Sequence, residues 1–175
     1  MSRLLVVVCL AAFGLPVDTG AEDATGEAAA RFGLSLPAEA PTSIRSEELE
    51  AEQGPDGAER VVFRGAVVVE QGDLEVFCDR LEATYAKDGK GSPERMVCTG
   101  QVRLVQGERE ASCTEAIFES RKNLAVCRST DGPAILRRGE SVVEGKEIVF
   151  DLARSTVKVT GGAVVRVAPR EEVRR

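Results

Sequence analysis

The feature that most constrains this chain is an internal repeat. The stretch from Val61 to Tyr85, VVFRGAVVVEQGDLEVFCDRLEATY, is echoed by MVCTGQVRLVQGEREASCTEAIF from Met96 to Phe118. Superposing Gly65 on Gly100 also brings Gln71-Gly72 onto Gln106-Gly107 and Cys78 onto Cys113, a period of about thirty-five residues. A third, shorter copy runs from Leu124 through Gly132, Gly139 and Gly145 to Phe150, and a fourth opens at Val157 with Gly161. Self-similarity at this period specifies stacked supersecondary units, each burying its apolar face against its neighbours.

The alternation inside each copy makes those units β-strands, because successive strand residues point to opposite faces. Val61, Phe63, Val67 and Val69 share one face, matched in the second copy by Met96, Cys98, Val102 and Leu104. The other face carries Arg64 in the first copy and Thr99, Gln101 and Arg103 in the second. After the Gln-Gly turn the inward set is Leu74, Val76 and Cys78, then Ala111 and Cys113, then Val143 and Gly145. The next apolar residues stand three positions further on, at Leu81, Ala116 and Ile148, followed by Ala83, Phe118 and Phe150. An odd step at the same place in three copies predicts a bulge or corner that carries each strand onto a second sheet with its apolar face still inward. The expected fold is therefore all-β, a repeat-built two-sheet sandwich or jelly roll. Lys87–Pro93 and Thr130–Pro133 are expected as exposed turns between copies. Ile44, Leu49 and Ala51 are expected in a first strand ended by the turn formers from Gln53 to Gly57.

Composition agrees: 43% of residues are hydrophobic but only 4% aromatic, so the interior is built of Val, Leu, Ala and Ile. Residues 1–21 read as a secretory signal, with Arg3 ahead of an apolar run from Leu4 to Leu15 and a cleavage site at Thr19-Gly20-Ala21; an uncleaved anchor is the alternative. Residues 22–42 read as a flexible linker, 43–168 as the folded domain and 169–175 as a disordered tail.

The chemistry is narrow. A net charge of −6 without a basic cluster argues against a nucleic-acid partner. The absence of His removes the usual general base, the activated Ser or Cys nucleophile and the commonest zinc ligand, so a hydrolase is not expected and no cofactor or metal site is read. Carboxylates such as Glu75 and Asp79 fall on the outward face as solubilising charge. Beyond Cys9 in the leader, the cysteines at 78, 98, 113 and 127 lack the close spacing of a zinc site. Cys78 and Cys113 occupy equivalent positions of adjacent copies, and Cys98 and Cys127 have similar settings. Export to an oxidising compartment then makes Cys78–Cys113 and Cys98–Cys127 the expected disulfides, with four small buried thiols as the alternative.

The run FRGAVVVEQGDLEVFCDRLEATY, preceded by TSIRSEELEAE and followed by CTGQVRLVQG and VVEGKEIVFDLARSTVKVTGG, resembles the OstA-like domain of periplasmic lipopolysaccharide-transport proteins, the LptA type. The likeness spans about Ser43 to Val167. It implies an open-ended β-jelly roll with an apolar interior groove and no catalysis. It also implies a periplasmic carrier of lipopolysaccharide from the inner to the outer membrane, docked to OstA-like partners at both membranes and to further copies head to tail. Under the resemblance, Phe63, Val67, Val69, Leu74, Val76, Val102, Leu104, Phe118, Leu136, Ile148 and Phe150 face the lipid A acyl chains, and the strand around Ile44 is the docking edge. The alternative is an envelope assembly module that docks to other OstA-like domains without carrying lipid.

Overall fold

The structure, a computed structural model, describes residues 41–55, 57–87 and 93–167. The leader, the tail and nearly all of the linker lie outside the described residues. The chain forms strands β1 (Thr42–Arg45), β2 (Glu48–Gln53), β3 (Glu59–Gln71), β4 (Leu74–Tyr85), β5 (Arg95–Gln106), β6 (Arg109–Glu119), β7 (Leu124–Arg128), β8 (Ala134–Arg138), β9 (Ser141–Gly145), β10 (Glu147–Asp151), β11 (Thr156–Thr160) and β12 (Val164–Arg166). Each strand pairs with its neighbours antiparallel in one continuous sheet.

The long strands from β3 to β6 are bent in the middle. Their ladders shift register between Arg64 and Val67, between Phe77 and Arg80, and between Thr99 and Val102. On one side of this line, half I runs β1, the end of β3, the start of β4, the end of β5, the start of β6, then β8, β9 and β12. On the other side, half II runs β2, β3, β4, β5, β6, β7, β10 and β11. The halves fold over one apolar interior. The odd step read from the sequence is this corner.

Local chemistry explains where the corner falls. Gly65 and Gly100 adopt φ of 77° and 81°, and Ala66 and Gln101 follow in the left-handed region. Such a bulge is open to glycine and strained for a side chain. Three corner glycines lie beneath a side chain: Gly65 beneath Glu47 from the β1–β2 break, Gly100 beneath Asp79 of β4, and Gly161 beneath Lys146 from the β9–β10 break. Gly72 and Gly107, at φ of 61° and 57°, close the β3–β4 and β5–β6 hairpins.

Two expectations are corrected. The first strand is split at Ser46-Glu47 into β1 and β2, which pair with the two arms of β3 across the same corner line. Thr130–Pro133 lies within the third copy, where the chain crosses from β7 in half II to β8 in half I. Pro133 has no N–H to donate, so the crossing is an open link instead of the bulged continuous strand of the earlier copies.

The outer face of half II is laced with charge. Glu82 accepts from Arg60 Nε at 2.8 Å and from Arg80 Nη2 at 2.7 Å. These bonds, to Arg60 and then Arg80, hold its carboxyl down at about 2 from an ordinary value of 4.5. A carboxylate depressed by folding supports stability above its unfolded value, and that support is lost as pH falls through its folded value. Urea midpoints of Glu82→Gln are therefore expected to lie below wild type at neutral pH and to converge with it between about 4.5 and about 2. A pH-independent gap contradicts this assignment.

An open-ended apolar groove as the candidate functional site

The register places the inward residues in rows that cross the whole sheet. In half II one row reads Leu49, Phe63, Leu81, Cys98, Ala116, Cys127, Ile148, Val159. A parallel row reads Ala51, Val61, Ala83, Met96, Phe118, Ala125, Phe150, Val157. In half I the facing row is Ile44, Val69, Val76, Leu104, Ala111, Leu136, Val143, Val165. No polar side chain interrupts any of the three. Each has seven strand-to-strand steps of about 4.8 Å, so the apolar lining extends roughly 34 Å from edge to edge.

Phe63, Val67, Val69, Leu74, Val76, Val102, Leu104, Phe118, Leu136, Ile148 and Phe150 are buried and packed in a single cluster, and Met96 is half-buried against it. Ile44 is half-buried at the β1 edge and packs against the same cluster. The rows do not close at the ends. Leu49 faces inward at the β2 edge yet is 62% exposed, and Val165 faces inward at the β12 edge yet is 58% exposed. An interior whose last apolar residues meet solvent is an open-ended groove.

Part of the groove is hollow. Between the halves, Val69, Leu74 and Val76 on one side and Leu81, Met96, Cys98 and Phe118 on the other line a cleft of about 30 Å³ with an open mouth beside Thr42 and Gln71. Toward β10 the halves are packed shut around Leu136, Ile148 and Phe150, each with no exposed surface. Among the described residues the buried polar side chain is Gln106, whose Nε2 donates to Asp73 Oδ1 at 2.9 Å at the hairpin end. The interior therefore offers dispersion and desolvation, with no charge aimed into it.

Glu75 and Asp79 are exposed, as expected for the outward face. Fewer readings reached the ends of the rows: Leu49, Val157, Val159 and Val165 also face inward; period-two alternation in β2 and β11 marks the first three, while β12, with Val164 beside Val165, carries no such signal. Val62 and Ile117 are buried on the outer face, in a cross-strand row with Glu82 and Val97 beside the stems of Arg60 and Arg80.

The expected disulfides are overturned. Cys113 is bonded to Cys127, with Cα atoms 5.8 Å apart, while Cys78 and Cys98 are buried free thiols. Each copy is a two-strand hairpin, so residues one period apart sit two strands apart, beyond disulfide reach. Val102 stands between the strands of Cys78 and Cys113, and Ala116 between Cys98 and Cys127. The observed bridge instead ties the corner of β6 to β7.

Fold and groove together define a folded antiparallel sheet over an apolar interior whose two ends are open. Residues 43–156 match the family described as LptA/(LptD N-terminal domain) LPS transport protein, and the chain belongs to that family. Among solved structures it is similar to LptH, described as the LptA homologous periplasmic component of the conserved lipopolysaccharide transport device from Pseudomonas aeruginosa. The two share 19% identity and a TM-score of 0.61, over 75% of this chain and 98% of that one. No curated protein sequence matches the chain.

The Cys113–Cys127 bridge closes a loop of sequence separation 14. Restricting the unfolded chain over a loop of that size is worth about 3 kcal/mol. The double variant C113S/C127S is expected to lose about that much stability in urea unfolding of the oxidised protein. No difference between wild type and variant contradicts it.

Proposed function

We propose that this chain is a periplasmic, non-enzymatic bridge protein that carries lipopolysaccharide from the inner to the outer membrane, holding its acyl chains between the two halves of the sheet. The observation that supports this best is the set of apolar rows running unbroken from one open edge to the other. Each acyl methylene removed from water contributes about 0.8 kcal/mol, so about a dozen amount to roughly 10 kcal/mol. Releasing such a lipid into water at every step is prohibitive, whereas sliding along a continuous apolar face avoids that barrier.

Continuity beyond one molecule requires docking at the edges. Among the described residues β1 and β2 at one side, and β11 and β12 at the other, are paired along one side only, the setting that suits strand addition. Under this reading the Ile44 edge and the β12 edge dock to OstA-like domains of the inner-membrane and outer-membrane partners or to further copies head to tail. Phe63, Val67, Val69, Leu74, Val76, Val102, Leu104, Phe118, Leu136, Ile148 and Phe150 form the lipid path. Residues 1–21 act as the export signal, residues 22–42 as a linker and residues 169–175 as a tail around the domain at 43–168.

The shut interior around Phe150 supports a second reading, a module that docks without carrying lipid. A photo-crosslinking residue placed in cells at Val76 or Leu104 separates the two. Lipopolysaccharide captured at both positions is the expected result. Capture of protein neighbours at the Ile44 edge, with none of lipid at Val76 or Leu104, contradicts carriage and favours docking alone.

A further inference from the structure

The corner repeats more than the bulge. Take the inward residue at the corner, step three residues along the strand, and cross to the paired strand. From Cys113 this leads to Ala116 and across to Cys127, the residue to which Cys113 is bonded. From Cys78 it leads to Leu81 and across to Cys98. From Gly145 it leads to Ile148 and across to Val159. In the third case a Cβ built on Gly145 would run into Val159 Cγ1, so the two positions touch there as well. One through-space relation thus holds at three corners, and at one of them it is already covalent.

The same relation brings the two remaining buried thiols together. Both thiols are buried, and each is the other's main influence: the Cys98 side chain holds Cys78 below the ordinary thiol value, and the Cys78 side chain, with burial, pushes Cys98 up. Cys78 sits opposite Val67 on half I and Cys98 opposite Leu81 on half II, as Cys113 sits opposite Val102 and Cys127 opposite Ala116. We propose that Cys78 and Cys98 form a second corner disulfide, equivalent by the repeat to Cys113–Cys127.

The oxidant is a disulfide, either of a thiol oxidoreductase or of oxidised glutathione. Cys78 as thiolate attacks one sulfur of it, giving a mixed disulfide and one free thiol. Cys98 then loses its proton and displaces the second thiol. One S–S bond forms as one breaks, and the two electrons of the pair reduce the oxidant. Both sulfurs are buried in the folded chain, so the exchange belongs to folding, before the corner closes. Once formed, the bridge lies in the wall of the hollow that Cys98 lines, and it limits how far the halves part at that corner.

The test begins with the full chain, unfolded and reduced, then refolded in a mixture of reduced and oxidised glutathione. Free thiols are alkylated and bridges assigned by peptide mapping, which also keeps Cys9 apart from the other four. Both corner bridges are expected, making the chain about 4 Da lighter than its reduced form. In C113S/C127S, where the known bridge cannot form, Cys78–Cys98 is still expected, with a loss of about 2 Da. In Cys98→Ser, Cys78 is expected to become fully alkylated while Cys113–Cys127 persists. Alkylation of both Cys78 and Cys98 in the wild type beside an intact Cys113–Cys127, a Cys78–Cys113 pairing, or a C113S/C127S chain that stays reduced each overturns the proposal.

Discussion

The structure depends on one steric constraint: a strand that crosses from one half of the sheet to the other must turn without exchanging its apolar and polar faces. A simple bend cannot do this, because side chains alternate strictly along a strand. In β4 and β6 the inward residues step by three at the corner, from Cys78 to Leu81 and from Cys113 to Ala116, which resets the parity. Beside them β3 and β5 take one residue more, at the left-handed glycines 65 and 100, and their inward residues step by four, from Phe63 to Val67 and from Cys98 to Val102. Without the shift, Leu81, Ala83 and Phe118 would point to solvent and the halves would share no core.

From that constraint the groove follows. Because every strand turns on the same line, the inward residues of successive strands align into rows, and a row has no natural end until the sheet does. Barrels remove their edges by closing, whereas this sheet stays open, leaving Leu49 and Val165 apolar, inward and wet. An aromatic-poor interior leaves the halves incompletely filled around Cys98 and Phe118, where a small cleft opens. Charge is confined to the outer face, where Arg60, Glu82 and Arg80 bind one another. The Cys113–Cys127 bridge acts on the same line by tying a corner to the neighbouring strand.

Much of this was legible in the sequence because alternation and repetition are both one-dimensional signals of it. The inward sets around Phe63, Leu104 and Ile148, and the odd step after Cys78, Cys113 and Gly145, needed no knowledge of which strand pairs with which. Properties that depend on pairing were not legible. Cys78 and Cys113 look adjacent along a thirty-five-residue period, yet the hairpin inside that period sets them two strands apart. Thr130–Pro133 has the composition of a turn between copies and is a corner crossing. Val62 and Ile117 have outward parity yet are buried, which the backbone period does not signal.

The central claim is that the inward face contacts lipid as well as forming the core. The chain contains no Trp, so a single introduced one reports from one place. Phe118→Trp places it in the wall of the hollow, and Phe77→Trp places it on the outer face, where Phe77 lies 4.4 Å from the Arg103 guanidinium. On addition of lipopolysaccharide with brominated acyl chains, the account predicts quenching of the tryptophan at 118 and not of that at 77. Quenching at 77 alone, equal quenching at both, or no quenching at either contradicts it.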